Sequence, residues 1–483
     1  MGNGWQKAPK IFFFGAGKIG KHWLIQFKDM GIVPDGILDN NKDLWGTVCG
    51  GVVVRGPAGI KGVDFDYIFI TCRKETEVVR QLTGLGVAEN KIVAGDFHIL
   101  NHLFYQARDT FWAGGGIRAP KGDGSQKILF DLYNGMVLGG VESWSYDLAK
   151  RLAGAGYEGK YLATDAAGPS VPDQTYPVHV FRYRGAEREK EKIGMCVKEI
   201  TENLPCTIIC NFPQHIFWSA CMVKHKYPDR IRIIAVVHND DWPYYYGYGL
   251  WKGYIDKCMA ISSRIQEKLF LSGIKQGQAR RLEWKVFCKE TLDKGQKRED
   301  ACLQIGYAGR VTMVQKRVDL FLALAKTLVK TGIDFRINIA GAGDYSGELR
   351  QKAEEEGLCT YIRLAGYIGR DEIPDFWGRQ DIMASCSEYE GHSITQSEAM
   401  AAGAVPVITD VSGAKDDVED GYNGFIVAVG DIEAMANRIC SLYHNRDMLK
   451  RMGERAHRAI YNRQKGLDQT GAWLGLLKEV WQQ

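Results

Sequence analysis

Long apolar runs are missing from this sequence. Among its 483 residues, no window approaches the roughly 18 apolar residues that a membrane-spanning helix needs. The start, MGNGWQKAPK, lacks the apolar stretch of a secretory signal peptide. The 12 cysteines include no CxxC pair, the spacing typical of zinc and redox sites. These absences predict a cytoplasmic protein whose thiols stay reduced.

An excess of charge of one sign is missing as well. The 62 lysines and arginines face 58 acidic residues, which leaves a net charge of +4. Because nucleic-acid binders concentrate far more basic charge, nucleic acid is not a predicted partner. The hydrophobic content of 45% is that of an ordinary globular protein. At this length a single core does not suffice, and about three domains are expected.

Strand-like apolar runs alternate with helical stretches in three successive blocks, which predicts α/β domains with mostly parallel sheets. The first block covers residues 1–112 and is followed by a Gly-rich linker at 113–126. The second and third blocks cover 127–296 and 297–465. Residues 466–483 form an amphipathic pattern that predicts a terminal helix packed back on the second block.

Two glutamates mark the candidate site of the third block. In SEYEGHSITQSEAMAAG, Glu390 and Glu398 have seven residues between them. Ser393 or Thr395 is a suitable helix cap, which places Glu390 in the loop after a strand and Glu398 in the helix. Ligands bind beyond strand ends in such sheets, and a helix start suits a phosphate. Two solvated glutamates are the alternative that the spacing alone leaves open.

Other strand ends of the third block carry matching groups. Arg310 and Lys316 follow the strand IGYAG, where two cations could neutralise a diphosphate. Gly341 and Gly343 follow the strand INIA. Together these groups predict one site for a ligand with phosphates and hydroxyls.

Over residues 127–465 the chain resembles the retaining GT-B glycosyltransferases of the large family 4 group. The matching features are GGVE, a histidine after the strand IRIIAVV, AGR followed by QKR, SEYEGHSITQSEAMAAGAVPV, and the segment SGAKDDVEDGYNGFIV. The resemblance implies a GT-B fold, two Rossmann-like domains, preceded here by a smaller Rossmann-like domain. It implies sugar transfer from a nucleotide-diphosphate sugar, with UDP-sugars favoured, to a glycan or lipid-linked glycan.

The resemblance also implies a role for each matched residue. Arg310 and Lys316 would bind the donor diphosphate, Glu398 the ribose hydroxyls, and Glu390 a sugar hydroxyl. His238 would lie near the donor sugar, although a core or surface histidine is the alternative. The remaining donor-binding positions are Gly139, Gly140, Gly341, Gly343, Tyr367, Gly391, His392, Ser393, Ile394 and Thr395.

The family's chemistry needs no metal, because Arg310 and Lys316 would take the place of Mg²⁺. The acceptor hydroxyl would attack from the side of the leaving group, whose phosphate takes its proton. The DxD-like triplet Asp64-Phe65-Asp66 lies in the first block, so it is not predicted to bind a metal. Relatives often carry an aromatic residue and Gly at His392-Ser393, and often Glu at Asp416. These departures bear on the choice of sugar.

The first block has a dinucleotide fingerprint. Gly15, Gly17 and Gly20 follow a strand and open a helix, and Asp39 ends the next strand. This pattern predicts a site for NAD or a nucleotide sugar, and a docking domain without a ligand is the alternative. An NAD-dependent oxidoreductase, a non-catalytic nucleotide-sugar-binding protein and a sugar epimerase remain alternatives for the chain.

The aromatic run between Trp242 and Tyr254 is a candidate wall of the acceptor site or a peripheral membrane contact. The alternative is a packed loop.

Overall fold

A computed structural model describes residues 9–114, 117, 119–120, 127–133, 135, 139–164, 175–183, 186–283, 285–292 and 302–482. Most of the predicted linker at 113–126 lies outside the described residues. So does the predicted boundary at 296/297.

Strands and helices alternate along the described chain. The strands are β1 (Ile11–Phe14), β2 (Gly36–Leu38), β3 (Val48–Cys49), β4 (Val52–Arg55), β5 (Tyr67–Ile70), β6 (Ile92–Ala94), β7 (Lys127–Leu132), β8 (Glu158–Thr164), β9 (Val178–Phe181), β10 (Cys206–Cys210), β11 (Ile231–Val237), β12 (Lys257–Ala260), β13 (Ala279–Arg281), β14 (Leu303–Ala308), β15 (Phe335–Ala340), β16 (Ile362–Gly366), β17 (Ile382–Ser385), β18 (Val405–Thr409) and β19 (Phe425–Val427). The α-helices are α1 (Lys18–Asp29), α2 (Glu75–Gly84), α3 (Asp96–Ala107), α4 (Gly140–Gly154), α5 (Glu189–Glu202), α6 (His215–Lys226), α7 (Trp242–Leu250), α8 (Ser263–Leu271), α9 (Leu320–Thr331), α10 (Ser346–Glu355), α11 (Ile373–Gly378), α12 (Ile394–Ala401), α13 (Ala414–Asp417), α14 (Ile432–His444), α15 (Arg446–Gln464) and α16 (Gln469–Gln482).

The chain folds into two compact units. The first comprises Met1–Ala235, Pro243–Lys257 and Val480–Gln483, and the second comprises Val236–Trp242 and Cys258–Glu479. The first unit thus joins the first block to most of the second. The predicted domain boundaries themselves stay predictions.

The first unit contains the sheet β3-β4-β2-β1-β5-β6, in which only the β3–β4 pair is antiparallel among the described pairs. β1 is fully buried, as expected for a parallel strand covered by helices on both faces. A second parallel sheet has the order β11-β10-β7-β8-β9. The two parts are joined by helices α3 and α6, where the Trp218 Nε1–H donates to Asn101 Oδ1 over 2.8 Å.

The end of the chain returns to this unit. Trp481 Nε1–H donates to Thr207 Oγ1 over 2.9 Å, and the Arg232 guanidinium lies 4.6 Å from the centre of the Trp481 ring.

The second unit contains the parallel sheet β16-β15-β14-β17-β18-β19. Its apolar strands and helices α9, α10 and α14 share one buried core. The strand order reverses direction around β14, which has β15 on one side and β17 on the other. Polar groups beyond the carboxyl ends of these strands therefore lie at the place where open α/β sheets bind ligands. The predicted α/β class is confirmed.

The aromatic run after His238 forms helix α7 rather than a loop, so that part of the interpretation is wrong. Pro243 stands at the helix start, where proline is tolerated. Gly247 lets the helix approach its neighbour closely, because a Cβ there would stand 2.6 Å from Pro213 Cβ. Tyr244 and Tyr248 are buried, whereas Trp242 is 53% exposed.

Candidate functional site

The glycine turns after β14 and β15 pack against each other. A Cβ on Gly341 would stand 1.8 Å from the carbonyl oxygen of Gly309, and its φ is +133°. A Cβ on Gly343 would stand 2.2 Å from the carbonyl oxygen of Val311. Because these are backbone oxygens that cannot move aside cheaply, glycine is needed here for turn packing. The packing of the two turns thus explains why glycine occurs at Gly341 and Gly343, whether or not a ligand binds there.

Glu390 forms an ion pair with Lys316 at this edge of the sheet. Its carboxylate also accepts a 2.8 Å hydrogen bond from the Ser387 hydroxyl, and only 7% of Glu390 is exposed. The structure therefore brings together two residues that are 74 positions apart in sequence. The exposed Arg310 donates from Nη2 to Gln315 Oε1 over 2.8 Å, so its guanidinium stays on the same loop.

Helix α12 begins where the sequence places it. Ser393 is the N-cap, and its hydroxyl accepts a hydrogen bond from the Gln396 N–H. The helix ends before Gly403, whose φ of +73° suits a left-handed C-terminal stop. Glu398 lies in the second turn. Burial raises the pKa of its carboxyl to about 7, against the opposing charge of Arg370.

His238 lies against the loop that carries Glu390. A Cβ on Gly391 would stand 2.2 Å from the His238 carbonyl oxygen and 2.5 Å from Ile261 Cδ1. Burial lowers the pKa of the His238 imidazole to about 3, so the ring is neutral at neutral pH. The main chain of His238 and the Glu390 loop are thus in close contact within the second unit.

A buried polar network supports α12 from behind. The Asp417 carboxylate pairs with Arg463 and accepts a 2.8 Å hydrogen bond from the Ser397 hydroxyl. His392 Nε2 lies 3.4 Å from the same carboxylate, and burial lowers the His392 pKa to about 4. The network joins the Glu390 loop, α12, α13 and α15. The His392 side chain is therefore part of a structural cluster.

Residues 289–459 match the family described as "Glycosyl transferases group 1", and residues 7–93 match the family described as "C2185-like, N-terminal". The poly(ribitol-phosphate) alpha-N-acetylglucosaminyltransferase of Staphylococcus aureus is 27% identical over 175 residues, 36% of this chain and 34% of the relative. The mannosyltransferase LpsB of Rhizobium meliloti is 30% identical over 152 residues, 30% of this chain and 42% of the relative. The matched region thus spans about a third to two fifths of these curated relatives.

Two solved structures share the fold. The TarM crystal structure has a TM-score of 0.58 at 14% identity and covers 74% of this chain and 99% of TarM, an S. aureus protein. The structure of the Anabaena protein HepE in complex with UDP-glucose has a TM-score of 0.58 at 18% identity. It covers 73% of this chain and 99% of HepE. This chain is therefore similar to the group 1 glycosyltransferases over residues 289–459. Its fold is GT-B, as the resemblance predicts.

Other predicted positions of the glycosyltransferase domain lie nearby or belong to the first unit. Tyr367 is 67% exposed beside Gly366, whose carbonyl accepts a 2.7 Å hydrogen bond from the Gly341 N–H. Gly139 and Gly140 begin α4 in the first unit. A Cβ on Gly139 would stand 2.3 Å from Glu142 Oε2, so the buried Glu142 folds back onto it.

Sequence reasoning missed a buried carboxyl in the first unit. Asp131 near the end of β7 accepts a 3.2 Å hydrogen bond from the Phe212 N–H at Oδ2, whereas Oδ1 has no hydrogen-bond partner in the described structure. Burial, reinforced by the charge of Glu142, raises the Asp131 pKa to about 8. The apolar run KILFDL predicts a strand, but it does not show which groups surround the aspartate side chain. The sequence therefore contains no signal for this residue.

The N-terminal fingerprint forms the expected turn. A Cβ on Gly20 would stand 1.9 Å from the Gly15 carbonyl oxygen, whereas a Cβ on Gly17 would meet nothing within 4 Å. Asp39 is already engaged by the backbone, accepting from the Ala16 N–H over 2.7 Å and the Asn41 N–H over 2.8 Å. Its carboxylate thus holds the glycine turn to the end of β2.

No group of three or more histidine, cysteine or acidic side chains that could hold a metal ion occurs among the described residues. In the DxD-like triplet, Asp66 Oδ2 accepts a 2.8 Å hydrogen bond from the Lys10 N–H, and the Asp64 side chain is 89% exposed. None of the helices that the structure describes is long and apolar enough to cross a membrane.

Proposed function

We propose that this chain is a retaining, metal-independent glycosyltransferase that uses a nucleotide-diphosphate sugar, with UDP-sugars favoured. The observation that carries the proposal is the pairing of Lys316 with Glu390 beside the start of α12. One site thereby offers a cation for a leaving phosphate and a carboxylate for a sugar hydroxyl. The complex of HepE with UDP-glucose supports a UDP-sugar as the donor.

In the proposed complex the donor separates this ion pair. Lys316 and Arg310 turn to the diphosphate, and Glu390 accepts a hydrogen bond from the sugar. Backbone N–H groups between Gly391 and Thr395 face the phosphate and sugar, and Glu398 accepts hydrogen bonds from the ribose hydroxyls. The cations then stabilise the negative charge that grows on the leaving nucleotide.

In the proposed transfer the acceptor oxygen bonds to the anomeric carbon as the bond from that carbon to the phosphate oxygen breaks. The acceptor proton passes to the departing phosphate oxygen. His238 contributes a hydrogen bond without a charge, because its imidazole is neutral. A cation at that place would oppose the positive charge that develops on the sugar ring.

We propose a glycan, a glycolipid or a related cell-surface polysaccharide precursor as the acceptor. This class is supported by the name of the S. aureus relative, which is a poly(ribitol-phosphate) alpha-N-acetylglucosaminyltransferase. Peripheral membrane contact near Trp242 and a cytoplasmic location stay predictions.

The test is release of nucleoside diphosphate from a panel of UDP- and GDP-sugars, with the anomeric configuration of the product read by NMR. We expect Lys316→Ala to lower turnover by about 100-fold and Glu398→Ala to raise the donor KM. Glu433→Ala removes an exposed carboxylate of α14 and serves as the matched control. Chelators should leave the rate unchanged. Absence of turnover with every donor, together with unaltered donor binding by Glu398→Ala, would sink the proposal.

The same assay separates the alternatives. A non-catalytic binding protein retains the donor without turnover, an epimerase releases an altered sugar without an acceptor, and an oxidoreductase changes the absorbance of a nicotinamide cofactor.

We also propose that the N-terminal glycine turn binds NAD or a nucleotide sugar. The open space at Gly17, between the closely packed Gly15 and Gly20, supports this proposal. Calorimetric titration of NAD and of UDP-glucose into the Glu398→Ala protein, whose donor site is weakened, tests this proposal. Gly17→Glu should abolish the binding, because its carboxylate would occupy the phosphate position. No heat with either ligand indicates a docking domain.

A further inference from the structure

Arg317, directly after Lys316, has an unusual backbone conformation. Among the described residues other than glycine it alone has a positive φ, which is 45°. A side chain with a Cβ is disfavoured in this left-handed region, and such strain persists only where the surroundings impose it. The interactions of the Arg317 side chain show what these surroundings are.

The guanidinium of Arg317 joins two segments of the glycosyltransferase domain. Nε and Nη2 donate to the two carboxylate oxygens of Asp319 over 3.2 and 3.3 Å. Nη1 donates to Glu388 Oε2 over 3.0 Å. Asp319 directly precedes helix α9, and Glu388 lies two residues before Glu390. The side chain thus ties the start of α9 to the Glu390 loop.

Backbone contacts align the same two segments. The Glu388 N–H donates to the Gln315 carbonyl over 2.9 Å, and Gln315 Nε2 donates to the Tyr389 carbonyl over 3.3 Å. The consecutive cations Lys316 and Arg317 therefore hold the alternate carboxylates Glu390 and Glu388. The Lys316–Glu390 ion pair lies at the proposed donor site. The Arg317–Glu388 ion pair does not need to break when the donor binds.

We propose that Arg317 is a positioning residue. Its bridge to Glu388 keeps Lys316 aligned with the Glu390 loop after the donor has separated Lys316 from Glu390. The inference rests on the proposed function, in which both residues of that pair turn to the ligand. A forked arginine with two carboxylate partners is better suited to this task than a single exposed ion pair, which contributes little on its own.

Two variants remove the ion pair between Arg317 and Glu388, each by changing one of the two partners. Arg317→Gly loses the guanidinium, but its backbone adopts a positive φ without strain, so the fold is expected to remain. Glu388→Gln leaves the Arg317 backbone and its Asp319 contact unchanged. We expect Arg317→Gly to lower kcat about tenfold with the donor KM changed less than about threefold, and Glu388→Gln to act in the same direction.

The Lys316→Ala background separates positioning from a general structural role. If Arg317 acts through Lys316, Arg317→Gly should lower the residual rate there by less than about twofold. An equal loss in both backgrounds would overturn the inference. So would wild-type kcat in both single variants.

Acylation of lysine amines, followed by mass spectrometry, gives a readout that needs no turnover. Arg317→Gly should raise the labelling rate of Lys316 at least about threefold relative to the exposed Lys330, because Lys316 is then held by its ion pair with Glu390 alone. An unchanged ratio would overturn the inference. If the wild-type protein uses no donor, the proposed function fails, and the labelling ratio still decides whether Arg317 holds Lys316.

Discussion

Gly391 lies against the main-chain carbonyl of His238, with no room for even one additional carbon between them. We therefore expect Gly391→Ala to destabilise the fold by about 3 kcal/mol or more, since the clash is with a backbone oxygen that cannot move aside cheaply. The measurement is urea unfolding, with donor turnover assayed in parallel. Gly347→Ala is the matched control: its Cβ would meet nothing within 4 Å, and alanine favours helix α10. Equal midpoints for Gly391→Ala and wild type would contradict the close contact.

Glu398 makes stability depend on pH. Its folded pKa of about 7 lies above the ordinary value of 4.5, so the folded protein holds the proton more tightly than the unfolded chain does. Stability therefore falls as pH rises from 4.5 to 7, by an amount on the order of 1–3 kcal/mol. Glu398→Gln should remove this slope and raise the melting temperature at pH 8 relative to wild type.

Glu398→Gln should stabilise the fold but weaken binding of the proposed donor. Donor affinity of the wild type should rise as Glu398 ionises near pH 7, because a carboxylate accepts hydrogen bonds from both ribose hydroxyls. Affinity of Glu398→Gln should be weaker and independent of pH across this range. Parallel pH profiles for the two proteins would argue against a ribose contact.

The Asp417 carboxylate is buried with Arg463, so its removal leaves a half-buried cation without its partner. We expect Asp417→Asn to lower the free energy of unfolding by about 3 kcal/mol. The double variant Asp417→Asn with Arg463→Met should recover part of this loss. Denaturant titrations of both variants provide the check, with the exposed Asp344→Asn as the control. No change in Asp417→Asn would mean that the network contributes nothing to stability.

Asn101 accepts the hydrogen bond of the buried Trp218 indole between helices α3 and α6. Asn101→Leu leaves this N–H unpaired, and we expect a loss of about 1–3 kcal/mol. Limited proteolysis should then separate the N-terminal part from the rest of the chain faster than in wild type. The conservative variant Asn101→Gln serves as comparison. Unchanged cleavage by Asn101→Leu would mean that this bond does not hold the N-terminal part in place.

Local signals were enough to predict the glycosyltransferase helix and its surroundings. Ser393 as a cap and the strands around β14 follow from short-range rules of capping and alternation. The resemblance to the family 4 glycosyltransferases predicted the GT-B fold, and the glycine spacing predicted the turn at Gly15 to Gly20.

The partners of charged side chains could not be predicted from the local rules of capping and alternation. The Lys316–Glu390 pair joins residues 74 positions apart, and Arg463 reaches Asp417 over 46 positions. Which partner a charged side chain finds depends on how whole strands and helices pack. Helix α7 was missed for a related reason: Gly247 argues locally against a helix, whereas in the fold it lets the helix pack closely on Pro213.

The Lys316–Glu390 pair means that the resting site carries its own counter-ion. In the proposed complex, a lone phosphate would gain Lys316 only by removing the cation from the buried Glu390, and a lone sugar would gain Glu390 only by removing the carboxylate from Lys316. A molecule in which sugar and diphosphate are joined satisfies both at once. Under the proposed function, this ion pair thus favours the intact donor over its separate fragments.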